Sequence, residues 1–266
     1  MLPPDPPPVI ILGMHRSGTS LLARVLHDAG IFMGWRRNVH DESLFFLNQN
    51  EKLFRLAHAA WDQPAPALAL PQNDSLRPQV VAELRHVVRS WRAWSFTGGR
   101  RLTGAWGWKD PRTLFTLPLW LEVFPEARVV RVCRHPLDVA LSLQKREQNR
   151  RDPLHNPLLS LRCLDLNGAL SLWLEYETRS QQLAQTLPPD RQFALRYEDF
   201  LHEPAAHLDR LRQFLRHPFP PAAVARAIAA ADPTRAFAHR RQSPPPAFDA
   251  AIGNHPTLKA SGYQLP

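Results

Sequence analysis

The sequence predicts an α/β fold with a parallel sheet flanked by helices. Short apolar, β-branched runs stand at Val9–Leu12 and 127–133, and Gln192–Arg196 is a candidate strand. The stretches between them carry apolar residues at helical spacing. Strands separated by helices return in the same direction, which builds a parallel sheet with helices on both faces.

Each element has a local reason. Val9-Ile10-Ile11-Leu12 is continuous and apolar, as a strand buried on both faces requires. Residues 13–18 form a glycine-containing turn. Leu21, Leu22, Val25, Leu26 and Ala29 then make a helical stripe over 19–29, which Gly30 closes. A helix is expected from Ser43 to Ala57. Val81, Leu84, Val88 and Trp91 recur at helical spacing, and 114–124 reads as another helix. Val129, Val130 and Val132 mark the strand at 127–133. Arg134-His135-Pro136 turns into a helix reaching about Gln148, because proline suits a first helical position. Leu159, Cys163, Leu166, Leu170, Trp173 and Tyr176 set out a long helix, and Trp91 and Trp173 are expected in the core. Helices are predicted at about 204–215 and 220–231. From about 233 the chain reads as irregular, with prolines at 244–246. Residues 1–8 read as a flexible proline-rich tail, and 9–266 as one domain.

Composition narrows the class. The chain has 266 residues, with 33 Lys or Arg against 24 Asp or Glu, a net charge of +9. The only lysines are Lys52, Lys109, Lys145 and Lys259. A hydrophobic share of 44% suits a globular chain rather than a disordered one. No apolar run is long enough to span a bilayer, and the N-terminus lacks a basic region before an apolar one. Two cysteines, Cys133 and Cys163, make neither a disulfide framework nor a zinc pair. The expectation is a soluble, cytoplasmic, reduced protein with an anionic partner.

Three segments carry chemistry. The first is Gly13-Met14-His15-Arg16-Ser17-Gly18-Thr19-Ser20, between a strand and a helix. Such a loop points main-chain N–H groups at an anion, and the helix N-terminus adds partial positive charge. Gly13 and Gly18 have the separation of a Walker A loop, but Thr19 stands where its lysine would be, and the basic residue is Arg16. The second is Trp108-Lys109-Asp110-Pro111, which puts Lys109 at a strand end or turn, where open α/β sheets bind ligands. The third pairs Arg134, just past a strand, with Ser142, about two turns into the next helix. One phosphate could span the two. Taken singly, each segment also reads as ordinary surface: a glycine turn, a solvated lysine, a surface arginine and a helix serine.

In this order the segments resemble the sulfotransferases that use 3′-phosphoadenosine 5′-phosphosulfate (PAPS). Residues 13–22 look like that family's 5′-phosphosulfate loop, in the arginine form of its carbohydrate and tyrosylprotein members. Arg134 and Ser142 match its 3′-phosphate pair. Lys109-Asp110-Pro111 is similar to a segment of the tyrosylprotein type, and Arg196-Tyr197-Glu198-Asp199-Phe200 to one in many bacterial members. The likeness covers about 9–215. It implies a P-loop-like three-layer sandwich with a central parallel sheet.

The resemblance further implies a sulfuryl transfer from PAPS to a hydroxyl or amine of a carbohydrate, lipid or small metabolite. PAP (adenosine 3′,5′-bisphosphate) would leave, and no metal would be needed. Its donor-binding residues would be Gly13, His15, Arg16, Ser17, Gly18, Thr19, Ser20, Arg134, Ser142 and Tyr197. Arg16 and Lys109 would stabilise charge on the transferred group. For the base, His40, Asp41 and Glu42 cluster after the first helix, and the likeness to the tyrosylprotein type selects Glu42. Glu42 is equally an acidic residue before the helix of 43–57. His15 is an outside candidate that more simply shapes the loop. The C-terminal Gly-x-x-Gly-x-x-Lys element of the cytosolic class is missing, so Arg240 and Arg241 are weighed as substitutes. Tyr197 would touch the adenine or cap its strand.

Two other classes remain open. An atypical P-loop kinase would need magnesium. A nucleic-acid-binding protein would follow from the charge, although no motif for it is present. The charge is concentrated: residues 128–151 hold seven bases and two acids, a net +5 around the expected 3′-phosphate site.

Overall fold

The computed structural model describes residues 1–3, 5–149, 159–242 and 247–265. Among these the sheet has four parallel strands: β1 (Val9–Leu12), β2 (Gly107–Lys109), β3 (Arg128–Cys133) and β4 (Gln192–Arg196). Their order is β2-β1-β3-β4. Val9 of β1 stands opposite both Gly107 and Arg128, and β3 pairs with β4 from Val129↔Gln192 onward. β1 is buried at every position, as its unbroken apolar run requires. At Gly107 a Cβ would collide with the Val9 carbonyl, so only glycine fits there.

Alternation along β1 divides the core. Ile10 and Leu12 join Val129 on one face, under the helices Leu44–Leu56, Leu76–Arg89, Thr113–Val123, Pro136–Gln148 and Leu166–Thr186. Aromatic rings fill that face. Phe46 stacks on Trp108 with centroids 3.9 Å apart, and Trp120 meets Trp108 at 5.4 Å. Pairs of this kind add about 0.5–1.5 kcal/mol beyond area burial. Val9 and Ile11 join Val130 and Val132 on the other face, under α1 (Thr19–Asp28) and the helices Tyr197–His202, Pro204–Leu215 and Pro221–Ala230.

Four expectations change. Residues 1–3 and 5–8 are not a free tail: Leu2 is 4% exposed and its N–H donates to the Val88 carbonyl. The Pro6 carbonyl accepts from Trp106 Nε1, and that of Pro8 from the Arg128 N–H. Proline carbonyls remain good acceptors, so a proline-rich segment can still dock. Trp91 is 72% exposed rather than core. The helix before it stops at Arg89, and the extended Ser90 opens a new turn by accepting from the Arg92 N–H. The long helix begins at Leu166, so Leu159 and Cys163 lie before it. Asp165 caps its start by accepting from the Gly168 N–H at 2.8 Å. Beyond residue 233 the described chain forms short helical turns at Pro233–Arg235, Ala238–Arg241, Ala250–Gly253 and Pro256–Ala260. The prolines at 244–246 lie outside the described residues.

The topology places the site. From β1 the chain crosses to β2 on one side and returns to β3 on the other. A crevice therefore opens past the carboxyl end of β1, where ligands bind in sheets of this kind. The segments singled out above all follow a strand at this end of the sheet.

Candidate functional site

The loop after β1 is built for close backbone approach. Gly13 has φ +152°, and a Cβ there would lie 2.5 Å from the Val132 carbonyl oxygen. Gly18, at φ +95°, packs so closely on the Tyr197 ring that any Cβ would collide with it. Arg16 itself is left-handed, at φ +68°, an uncommon conformation for a non-glycine residue and one that marks functional loops. Hydroxyl groups hold the loop in shape: Ser17 Oγ donates to the Met14 carbonyl at 2.6 Å, and Ser20 Oγ to that of His40 at 2.7 Å. Ser17 and Ser20 therefore direct their side chains at the protein. No side chain caps the N-terminus of α1, which leaves its first N–H groups for an anion. Arg16 lies exposed on the loop, and its Nε donates to Ser142 Oγ at 2.9 Å.

The end of β2 supplies a buried ion pair. Lys109 Nζ lies 3.2 Å from Glu42 Oε1 and donates to the His40 carbonyl at 2.8 Å. The two side chains are 3% and 5% exposed. Glu42 stands just before Ser43 and the helix α2 (Leu44–Leu56), and its second oxygen accepts from Asn38 Nδ2 at 2.7 Å. Burial alone would raise the Glu42 carboxyl, but Lys109 and the Asn38 amide hold it below its usual value of 4.5. It is thus an ionised acceptor oriented by two partners. Asp110 extends the network. It accepts from Asn50 Nδ2 at 2.9 Å and from Arg112 Nη1 at 3.0 Å, while Asn50 Oδ1 accepts from Thr116 and Trp120. These contacts tie α2 to the Lys109 turn, so lysine and glutamate are positioned together.

Arg134, after β3, reaches back across the crevice. Its Nη1 donates to the Arg16 carbonyl at 3.2 Å, and its Nη2 to the Arg235 carbonyl at 3.1 Å and to Asp138 at 3.4 Å. Its guanidinium lies 4.7 Å from the Tyr197 ring centroid. Asp138 also accepts the N–H groups of Ala238 and His239 at 3.1 and 2.8 Å, which fastens the C-terminal segment beside Arg134. Burial, with the neighbouring His239, pushes His135 down to about 4.

These residues line one cleft of about 210 Å³: His15, Arg16, Gly18, Thr19, Ser20, Glu42, Lys109, Arg134 and Tyr197, together with Arg24, Arg146 and Arg235. Ser142 joins it through Arg16. Gly13 and Ser17 shape its loop from beneath. Arg240 and Arg241 do not line it: Arg240 stacks on Phe237 at 4.1 Å, and Arg241 donates to the Thr234 carbonyl. The C-terminal arginine at the cleft is Arg235, which sequence reasoning passes over. Arg146 is also missed, although it lies four residues after Ser142 on one helix, a spacing that shares a face. Among the described residues no cluster of three or more His, Cys, Asp or Glu side chains could hold a metal ion. None of the described helices is long and apolar enough to cross a membrane.

Comparison with known proteins gives a family match and a shared fold. Residues 7–221 match the family model described as "Sulfotransferase family". Among solved structures, the sulfotransferase domain of the curacin biosynthetic pathway has a TM-score of 0.58 at 19% identity, over 98% of this chain and 99% of that one. The sulfotransferase domain of the Synechococcus PCC 7002 olefin synthase gives 0.60 at 19%, over 98% and 96%. Mouse sulfotransferase SULT7A1, solved with PAP, gives 0.50 at 13%, over 87% of this chain and 65% of that one. At these identities the structures establish a shared fold. Curated proteins yield no match. With its loop at the switch point of a parallel sheet and a family match over most of its length, this chain belongs to the sulfotransferase family.

Proposed function

We propose that the cleft binds PAPS and transfers its sulfuryl group to a hydroxyl or amine of a carbohydrate, lipid or small metabolite. The observation that carries this reading is convergence. Arg16, Glu42, Lys109 and Arg134, spread over more than a hundred residues of sequence, line a single crevice past the sheet. The presence of PAP in the mouse relative supports the choice of donor.

The assigned roles follow from position. The N–H groups at the start of α1 and the Arg16 guanidinium face the 5′-phosphosulfate. Arg134 takes the 3′-phosphate, with Ser142 on the neighbouring helix and Tyr197 beside the adenine. The acceptor oxygen attacks sulfur in line as the bond from sulfur to the 5′-phosphate oxygen breaks and PAP departs. The acceptor proton passes to Glu42, whose ionised carboxylate lies in the cleft. Lys109 and Arg16 offset the charge that develops on the sulfuryl and leaving oxygens. Fixed charges that need no rearrangement supply most of such catalysis. A cytoplasmic location accords with the two free cysteines.

The test is transfer of label from radiolabelled PAPS to a panel of hydroxyl and amine acceptors, with EDTA present. Label should move and PAP should accumulate. Magnesium-dependent hydrolysis of a nucleoside triphosphate, with no transfer from PAPS, would instead make the chain a kinase-like enzyme.

A further inference from the structure

The donor roles given above leave two buried polar side-chain atoms at the cleft without a partner. Arg146 lies one helical turn beyond Ser142, away from Arg134. Its guanidinium lies over the Trp61 ring, 4.5 Å from the centroid, and Trp61 is fixed by Tyr176, whose hydroxyl donates to its carbonyl at 2.8 Å. Arg146 Nε pairs with Glu147 Oε1 at 2.5 Å, and the other Glu147 oxygen accepts from the Ser160 N–H at 3.1 Å. Stacking and pairing therefore hold the guanidinium plane in one orientation. Its Nη2 is buried with no hydrogen-bond partner. His15 meets the same Trp61 edge-on at 5.0 Å, and its Nε2 is buried without a partner as well.

Two unpartnered nitrogens on side chains that meet one indole ring each carry a desolvation cost unless something bonds to them. Arg146 and His15 line the same cleft as Lys109 and Glu42. The 3′-phosphate is given to Arg134 and Ser142 above, which leaves Arg146 without a donor role. A planar guanidinium with a free Nη2 donor, stacked on an aromatic ring, suits a carboxylate or phosphate ester.

We infer that the acceptor carries an oxyanion, a carboxylate or a phosphate or sulfate ester, which Arg146 binds with His15 while the acceptor hydroxyl faces Glu42. This rests on the sulfotransferase reading above and narrows its acceptor to acidic molecules. Burial, reinforced by Arg112, Arg146 and Lys109, holds His15 well below its usual 6.5, so it meets the anion as a neutral partner.

The experiment uses the full chain saturated with PAP for binding and with PAPS for turnover. Three probe classes each present one hydroxyl para to the group under test: 4-hydroxybenzoate, its amide, and 4-hydroxyphenyl phosphate. Calorimetry and label transfer should both favour the anionic probes over the amide by about tenfold or more, the scale of a charge-assisted hydrogen bond. The preferred anion separates a carboxylate from a phosphate source. Arg146→Gln should remove the preference, and Arg146→Lys should retain part of it. In both variants the change in preference should exceed any change in PAP affinity. Equal use of acids and amides, no binding of any anionic probe, or a preference that survives Arg146→Gln would each overturn the inference. Failure of PAP itself to bind would instead overturn the sulfotransferase reading beneath it.

Discussion

The strand-end rim of the cleft and the C-terminal rim both present cations to the same space, yet they are secured differently. On the strand-end rim, Lys109 is the last residue of β2 and Arg16 lies in the tight loop four residues past β1, so the sheet anchors their backbones. On the other rim, Arg235 sits in a short turn with no strand beneath it. It is held through side chains, by Arg134 on its carbonyl and by Asp138 on the N–H groups of Ala238 and His239. Tyr263 adds a second fastening, donating to Glu198 Oε2 at 2.5 Å. Glu198 in turn accepts the His135 N–H at 2.9 Å, and His135 Nε2 meets the Gln264 carbonyl at 3.1 Å. A rim built on the sheet survives the loss of one side chain in shape. A rim joined to the sheet only through side-chain bonds does not. Substitutions on the first should therefore change chemistry, and substitutions on the second should change donor affinity and stability together.

The largest effect expected is on the strand-end rim. Glu42→Gln should lower kcat by about 10²–10⁴-fold, the usual contribution of a general base, while PAP affinity changes little. Single-turnover transfer measured beside calorimetry checks this, and an equal loss of both would move Glu42 out of the base role. The next effect belongs to the other rim. Asp138→Ala leaves two N–H groups and Arg134 without their acceptor, and should cost about 3 kcal/mol of stability, seen by thermal melting. PAP affinity should fall about tenfold in the same variant, because Arg134 loses one of its three acceptors and the Arg235 segment loses its fastening.

A smaller effect is pH-linked. His135 is held near 4 in the fold against 6.5 unfolded, so the fold takes it neutral. Its contribution is present above pH 6.5 and is lost as pH falls from 6.5 towards 4, to a limit of about 3 kcal/mol. Melting temperatures across that window should decline, and His135→Gln should flatten the decline. The smallest effect is expected at Arg240 and Arg241, which do not line the cleft. Alanine at either should leave PAP affinity within about twofold, as usual for surface substitutions. A large loss there would show that the C-terminal rim reaches further over the donor than Arg235.

The same contrast governs what could be read from sequence. β1 and β3 announce themselves as short apolar runs, β4 reads as a candidate strand, and the loop residues Gly13, Arg16 and Gly18 follow from strand, turn and helix in order. Lys109 at a strand end follows from the Asp-Pro after it. Arg235 has no local signal, because its place depends on Asp138, nearly a hundred residues earlier. Trp91 shows a limit of periodicity: the spacing continues past Ser90, but the extended Ser90 backbone ends the helix and turns the ring to solvent. The docking of Leu2 beside Val88 is a tertiary contact that a proline-rich composition conceals. Arg146 was within reach of sequence, since its i, i+4 relation to Ser142 puts both on one helix face.

The most direct measurement of the central claim is a calorimetric comparison of PAP with adenosine 5′-phosphate, in the unaltered chain and in Arg134→Ala. The account predicts that PAP binds more tightly and that the variant loses most of this advantage while its affinity for adenosine 5′-phosphate changes little. No binding of PAP at millimolar concentration, or equal loss for both ligands in the variant, would contradict it.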